Sequence, residues 1–212
     1  GKSGVFIGFD LDRKAVARAK EKTKHAKCTV HLLEANFRYI AHTLNTLGIE
    51  KIDACVLDLG LSLHQLKEGG RGFSFQKDEP LLMTFREKPK SYDLTAREIV
   101  NEWEEEKLRE IFKEYADERF SKKIARAIVE YRVGTPIETT KQLADIVYRA
   151  IPKKFHHKGI HPATKTFQAI RIAVNDEYEA LKEGLTEIIA HLGEGARVAV
   201  VTFHSGEDRI VK

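Results

Sequence analysis

The 212-residue chain has little cysteine, methionine or tryptophan: two, one and one residues respectively. Two thiols, Cys28 and Cys55, cannot build a disulfide framework, so a reducing, cytoplasmic compartment is expected. No apolar run approaches the ~18 residues that a membrane span needs, and no stretch reads as a signal peptide, so no membrane partner is expected. The nine histidines are scattered. The adjacent pair His156-His157 has no cysteine or carboxylate at ligand spacing, so no metal site is expected. A G-x-S-x-G elbow is missing as well. His204 and Ser205 are sequence neighbours, and neighbours on a strand point to opposite sides, which argues against a Ser/His/Asp hydrolase built with Asp58. Neither a repeat nor a low-complexity tract is evident. With 42% apolar and 32% charged residues, the composition is that of an ordinary globular chain rather than a disordered one.

A net charge of +4 says little by itself, but its distribution is uneven. Residues 101–118 hold eight acidic and three basic side chains; residues 119–171 hold twelve Lys/Arg against three Asp/Glu. That basic stretch is either an electrostatic footprint for phosphates or a solvated surface balanced by the acidic segment before it.

Three apolar runs of strand character each end in polar chemistry: residues 5–9 in Asp10, residues 52–57 in Asp58, and residues 198–203 in His204-Ser205. They suggest one edge of one sheet. Asp12 is placed to cap a helix from Arg13 to about Lys24, and a second strand runs from Cys28 to Leu33. The next helix carries Ile40, Leu44 and Leu47 on one face and stops at Gly48. Strand, helix, strand, helix, strand with short connections reads as a parallel, doubly wound α/β sheet. Residues 61–90 then read as loop, and residues 94–151 as helices with their own small core. Residues 152–160 form a basic exit loop, and one long helix is expected from His161-Pro162 to about Leu192. The domain reading is a core of residues 1–66 and 161–212, with residues 67–160 as a loop and helical insertion.

Asp10, at a strand end, is placed to accept ribose hydroxyls in a nucleoside-binding fold. Phe37 either stacks on an adenine or packs in the core. Asp58 either binds a ligand amine or forms a turn before its glycine. Gln65 is a loop glutamine with no signal of its own.

The longer motifs go further. Leu57-Asp58-Leu59-Gly60 with Ser62 and Gln65-Leu66 is followed by Arg71-Gly72-Phe73-Ser74-Phe75. Then come His161-Pro162-Ala163-Thr164-Lys165-Thr166-Phe167-Gln168-Ala169-Ile170-Arg171-Ile172 with Val174-Asn175, and Phe203-His204-Ser205 with Glu207-Asp208-Arg209. This series closely resembles the bacterial ribosomal RNA small-subunit methyltransferase H family, also called MraW, over essentially the whole chain. The resemblance implies a class I S-adenosylmethionine-dependent (SAM-dependent), Rossmann-like fold with an inserted helical subdomain. The activity it implies is N4-methylation of a cytosine in the decoding region of 16S rRNA. Its implied partner is the small ribosomal subunit, with a homodimer as an open further possibility. Carried over by motif, cofactor contacts fall on Asp10, Phe37, Asp58 and Gln65. Catalytic roles fall on Asp58, as acceptor of the cytosine amine, with Asn175, His204 and Ser205 beside it. RNA contacts are assigned to Arg71, Phe73, Phe75, Lys153, Lys154, Lys165 and Arg171. Phe73 and Phe75 either hold an unstacked base or pack the loop onto the insertion.

The chain also departs from the family. The glycine-rich loop that wraps the methionine end of the cofactor would precede residue 1, and the last strands would follow Lys212. Half the cofactor pocket is then expected to be missing, which would leave this chain inactive. Leu82 and Thr84 stand where the family has Asp and Arg, Ser62-Leu63-His64 where it has Ser-Ser-Pro, and Gly206 where it prefers Leu. The competing reading is a non-catalytic RNA-binding or ribosome-assembly module on the same fold.

Overall fold

The computed structural model describes residues 4–90, 92–156 and 159–212. His157 and Lys158 of the basic exit loop lie outside the described residues. The chain divides into two compact units.

The first unit holds residues 1–60, 85–87 and 177–212 and carries the strands. Strand β1 (Val5–Asp10) leads through helix α1 (Arg13–Thr23) to β2 (Thr29–Glu34); α2 (Ile40–Thr46) leads to β3 (Ile52–Asp58). Helix α9 (Glu177–Ala190), β4 (Leu192–Val201) and α10 (Ser205–Val211) complete it. The fold is thus mixed α/β with parallel strands. β1 runs parallel to β2, with Asp10 opposite Glu34, and β3 runs parallel to β4, with Asp58 opposite Val201. These are two separate two-stranded ladders and not the single sheet edge expected. Accordingly the strands are incompletely covered: Val56 in β3 is 71% exposed, and Val5 and Phe6 in β1 are half exposed. Both ladders nevertheless share one apolar core. Ile40, Leu44, Leu57, Leu181 and Ile188 are buried there, with Ile7, Phe9, Val198 and Val200 packed against them. Burying such side chains contributes about 1.5–3 kcal/mol each.

The caps follow from sequence. Asp12 is buried and accepts the Lys14 N–H at 2.9 Å, satisfying one of the open donors of α1. Gly48 takes φ +68 after α2, the left-handed conformation that a glycine adopts without steric cost. Gly195 lies inside β4, where the register with β3 shifts between Ile52 and Ala54.

The second unit holds residues 61–84 and 88–176. It contains α3 (Leu63–Glu68), α4 (Ala96–Glu102), α5 (Glu105–Ala116), α6 (Ser121–Arg132), α7 (Thr140–Ala150) and α8 (Thr164–Asn175). Phe112, Leu108, Ile124, Ile128, Leu143 and Ile170 are fully buried in it. Helices α3, α4 and α7 each start in a capping box, on Ser62/Gln65, Thr95/Glu98 and Thr139/Gln142.

Two expectations are corrected. The stretch from His161 to Leu192 is not one helix. Asp176 takes φ +50 and its N–H turns back to Ala173 and Ile172, ending α8 one residue before α9 begins. One apolar stripe is therefore shared: Phe167 and Ile170 are buried in the helical unit, Leu181 and Ile188 in the strand-bearing unit. The helical unit, residues 61–84 and 88–176, thus takes in α8, which packs with α4 and α5.

Residues 69–84 are also no open loop. The Gly72 N–H donates to Glu79 Oε2 at 3.0 Å, the Glu79 N–H to Thr140 Oγ1 at 3.1 Å, and the Thr140 N–H back to Glu79 O at 2.9 Å. Gly72 has φ +74, and a Cβ there would run into the Pro80 carbonyl, so no other residue fits.

Candidate functional site

The polar strand ends expected to carry chemistry lie in the strand-bearing unit. β3 delivers Asp58 to its carboxyl end with the side chain exposed, and no described residue hydrogen-bonds or ion-pairs with it. The Leu59 N–H then donates to Val201 O at 3.3 Å, so the chain leaving β3 and the chain leaving β4 part at the same level. Gly60 turns with φ +82, and a Cβ there would meet the Phe203 ring at 3.4 Å.

Beyond β4, Glu207 organises the turn. This carboxylate is only 3% exposed; its Oε2 accepts the Phe203 N–H at 2.8 Å and its Oε1 lies 3.3 Å from His204 Nε2. His204 in turn caps α10, with Nδ1 accepting the Glu207 N–H at 3.4 Å. Main chain and imidazole are therefore locked together, with Ser205 exposed at the first turn of the helix. Sequence reading missed Glu207 as a functional group. The signal was present: a cap residue followed three positions later by a glutamate is the spacing of a capping box.

Asp10 sits exposed at the carboxyl end of β1, where its Oδ1 accepts the Asp12 N–H at 2.7 Å and sets the turn into α1. Phe37 follows β2 and belongs to the unit's apolar core; its ring fills the space at Gly184 in α9, where a Cβ would lie 2.5 Å away. The ring is half-buried in this packing.

The other expected site residues lie in the helical unit. Gln65 is buried and its Oε1 accepts the Ser62 N–H at 2.9 Å, so its observed work is to cap α3. Asn175 donates from Nδ2 to Met83 O at 2.8 Å and to Arg171 O at 2.9 Å. Met83 is fully buried with φ +56, so Asn175 restrains a backbone conformation that a methionine rarely takes. The expected catalytic asparagine thus commits both amide protons to main-chain carbonyls, a structural duty.

Arg71 and Phe73 are each only 8% exposed, and the guanidinium carbon lies 5.3 Å from the Phe73 ring centroid. Both side chains are therefore packed within the helical unit. Lys153 and Lys154 are exposed; Lys165 is exposed and donates from Nζ to Asp117 O at 2.9 Å; Arg171 is half-buried. Phe75 is half-buried and stacks with His161 at 4.5 Å. Burial, with the nearby His156, holds the His161 imidazole below its ordinary pKa, and Asp145 opposes the shift. Burial likewise pushes the Cys55 thiol up. Among the described residues, no cluster of three His, Cys, Asp or Glu could hold a metal, and no helix is long and apolar enough to cross a membrane.

The family model for the MraW methylase family matches residues 2–212. The chain belongs to the MraW methylase family. Proteins named ribosomal RNA small subunit methyltransferase H are among its relatives. The one from Clostridioides difficile (strain 630) is 43% identical over 209 residues, and that from Clostridium botulinum (strain Loch Maree / Type A3) is 46% identical over 209. The one from Symbiobacterium thermophilum is 46% identical over 210 residues. In each case 99% of this chain is covered, but it spans only 65–66% of the relative's length.

Family membership gives the departures a physical reading. A side chain on Gly206 would overlap the hydroxyl of Tyr178, with its Cβ 2.6 Å from Tyr178 Cζ. In this member of the MraW family the tyrosine occupies the room that a leucine at 206 would need. The Leu82 carbonyl accepts the Ala96 N–H at 3.0 Å, and Thr84 is buried, so this segment anchors the start of α4.

Proposed function

We propose that the chain forms most of a SAM-dependent methyltransferase that N4-methylates a cytosine in the decoding region of 16S rRNA. The observation that carries the reading is Asp58: an exposed carboxylate with no side-chain partner among the described residues, at the end of a parallel strand, beside a turn locked by Glu207, in a chain of the MraW family. The strand-bearing unit is the class I, Rossmann-like transfer core, and the helical unit recognises RNA of the small subunit.

An exocyclic cytosine amine is a weak nucleophile because its lone pair is delocalised into the ring. Asp58, by accepting one amine N–H, localises that pair and takes up the proton lost on methylation. The gain is positional and electrostatic rather than covalent. His204 and Ser205, held by Glu207, form the wall beside it. The donor set suits the cofactor: two exposed strand-end carboxylates, with Asp10 for ribose hydroxyls and Asp58 at the amine, and Phe37 bounding the adenine side. Gln65 acts by holding the turn after Gly60. When bound, S-adenosylmethionine supplies an electrophilic methyl group on a sulfonium sulfur.

The test is methyl transfer to small ribosomal subunits at saturating cofactor, with the modified base mapped. Asp58→Asn is expected to slow transfer by about 100-fold or more; near-normal turnover by Asp58→Ala would sink the assignment. A second reading, an RNA-binding module without transfer, is favoured by the structural duties of Gln65 and Asn175. Calorimetric titration with S-adenosylhomocysteine separates the two, since the module reading requires RNA binding without cofactor binding.

A further inference from the structure

We propose that the face formed by Tyr148, His156, His161 and Phe75 in the helical unit is a stacking platform for unpaired RNA bases. The inference rests on the RNA-modifying reading above and gives it a site. The rings form a row that starts in the core. Phe167 is 4% exposed and meets Phe75 edge-on at 5.0 Å; Phe75 meets His161 at 4.5 Å; His161 meets Tyr148 at 5.8 Å with planes 30° apart; Tyr148 meets His156 at 4.4 Å. The spacings of 4.5–5.8 Å fall in the range of mutually attracting aromatic pairs, and the 4.4 Å of Tyr148 and His156 lies at its short edge.

Local structure builds the row. α7 ends at Ala150, and the buried Ile151 leaves it in extended conformation. Lys153–Phe155 form a single 3-10 turn, and His156 Nε2 lies 2.9 Å from Ile151 O, which draws the imidazole back over the last turn of α7. His161 is oriented from the other side, its Nδ1 accepting the Ala163 N–H at 3.1 Å. A ring nitrogen that accepts carries no proton, in agreement with the lowered pKa that burial causes. His161 thus presents a neutral ring.

The row reaches the surface at Tyr148, which is 42% exposed and presents a large aromatic face to water, and it ends at the half-buried His156. Cations lie close to it in the chain: Arg149 follows Tyr148 directly, Lys153 and Lys154 precede His156, and all three are exposed. Aromatic faces with cations close by match single-stranded RNA, whose bases stack while its phosphates meet the lysines. Paired RNA offers the phosphates alone, because its base faces are already stacked.

The test is fluorescence anisotropy of the chain with a labelled unpaired oligocytidine and with a hairpin duplex of equal phosphate count. Tyr148→Ala is expected to weaken oligocytidine binding roughly tenfold and duplex binding little, with Tyr148→Phe retaining the wild-type affinity. Lys153→Ala with Lys154→Ala should weaken both RNAs and lower the salt dependence by about one to two counterions. Unchanged oligocytidine binding by Tyr148→Ala, with the lysine variants impaired, would overturn the platform and leave the RNA reading standing. Equal losses for Tyr148→Phe and Tyr148→Ala would overturn stacking in favour of the hydroxyl. Failure of the wild-type chain to bind either RNA would overturn the platform together with the reading it rests on.

Discussion

Gly206→Ala tests whether the turn beside Asp58 is built as described. Its Cβ would overlap the Tyr178 hydroxyl, lie 2.6 Å from Cζ, and come within 3.3 Å of His204 Nδ1. Tyr178 would have to leave its place or the first turn of α10 would have to shift. Forcing an extra methyl into filled space costs typically about 1–3 kcal/mol. Replacing a helical glycine by alanine returns up to about 1 kcal/mol. A net loss of about 1–2 kcal/mol follows for the strand-bearing unit. Tyr178→Phe removes only the oxygen and leaves Cζ in the way, so rescue should be partial; Tyr178→Ala clears the space entirely. In a double-mutant cycle, Gly206→Ala and Tyr178→Ala together should cost about 1–2 kcal/mol less than the sum of the single variants. The assay is urea denaturation followed by far-ultraviolet circular dichroism. The single tryptophan, Trp103, lies in the helical unit and reports on that unit instead. Additivity within about 0.5 kcal/mol, or a Gly206→Ala chain as stable as the wild type, would refute the argument.

Two further outcomes concern the helical unit and are read by Trp103 fluorescence. Asn175→Ala leaves the buried Met83 carbonyl without its amide donor and should destabilise the unit by about 1–3 kcal/mol, lowering the urea midpoint even without any substrate. A midpoint equal to wild type would remove the structural role assigned to Asn175. The second is a pH dependence. His161 has a native pKa below its unfolded value, so the unfolded chain binds more protons in the window between the two. The contribution is fully present above the ordinary value of about 6.5 and is lost as pH falls through the lowered native pKa. His161→Gln should flatten the midpoint across that acid window, while an unchanged slope would assign it to other groups.

Much of the chain was legible because local chemistry suffices for it. Asp12 before an apolar-periodic run reads as the cap of α1 and is its cap, because helix termini leave donors that a nearby oxygen must meet. The delivery of Asp58 and His204-Ser205 to adjacent strand ends follows from strand periodicity and the register of one parallel pair. The long motifs carried the family resemblance, since they are read as sequence. What local pattern could not show was where each half of a continuous stripe is buried. The heptad-like run from Phe167 to Leu192 has no proline in it and its one glycine, Gly184, lies inside α9, yet Asp176 adopts a left-handed conformation and the chain passes from one unit to the other.

Tertiary structure alone decided the duties of the polar side chains. Gln65, Asn175 and Arg71 were assigned to ligands through the family resemblance, but polar groups withdrawn from water need partners, and they found them in the backbone and in a neighbouring ring. The same holds for Gly206, whose meaning depends on Tyr178, 28 positions away in sequence and touching in space. Sequence by itself therefore determined the family, the caps and the strand-end placement of Asp58. Only the fold decided which of the expected site residues remain open to a ligand, because that depends on what each side chain meets across the chain.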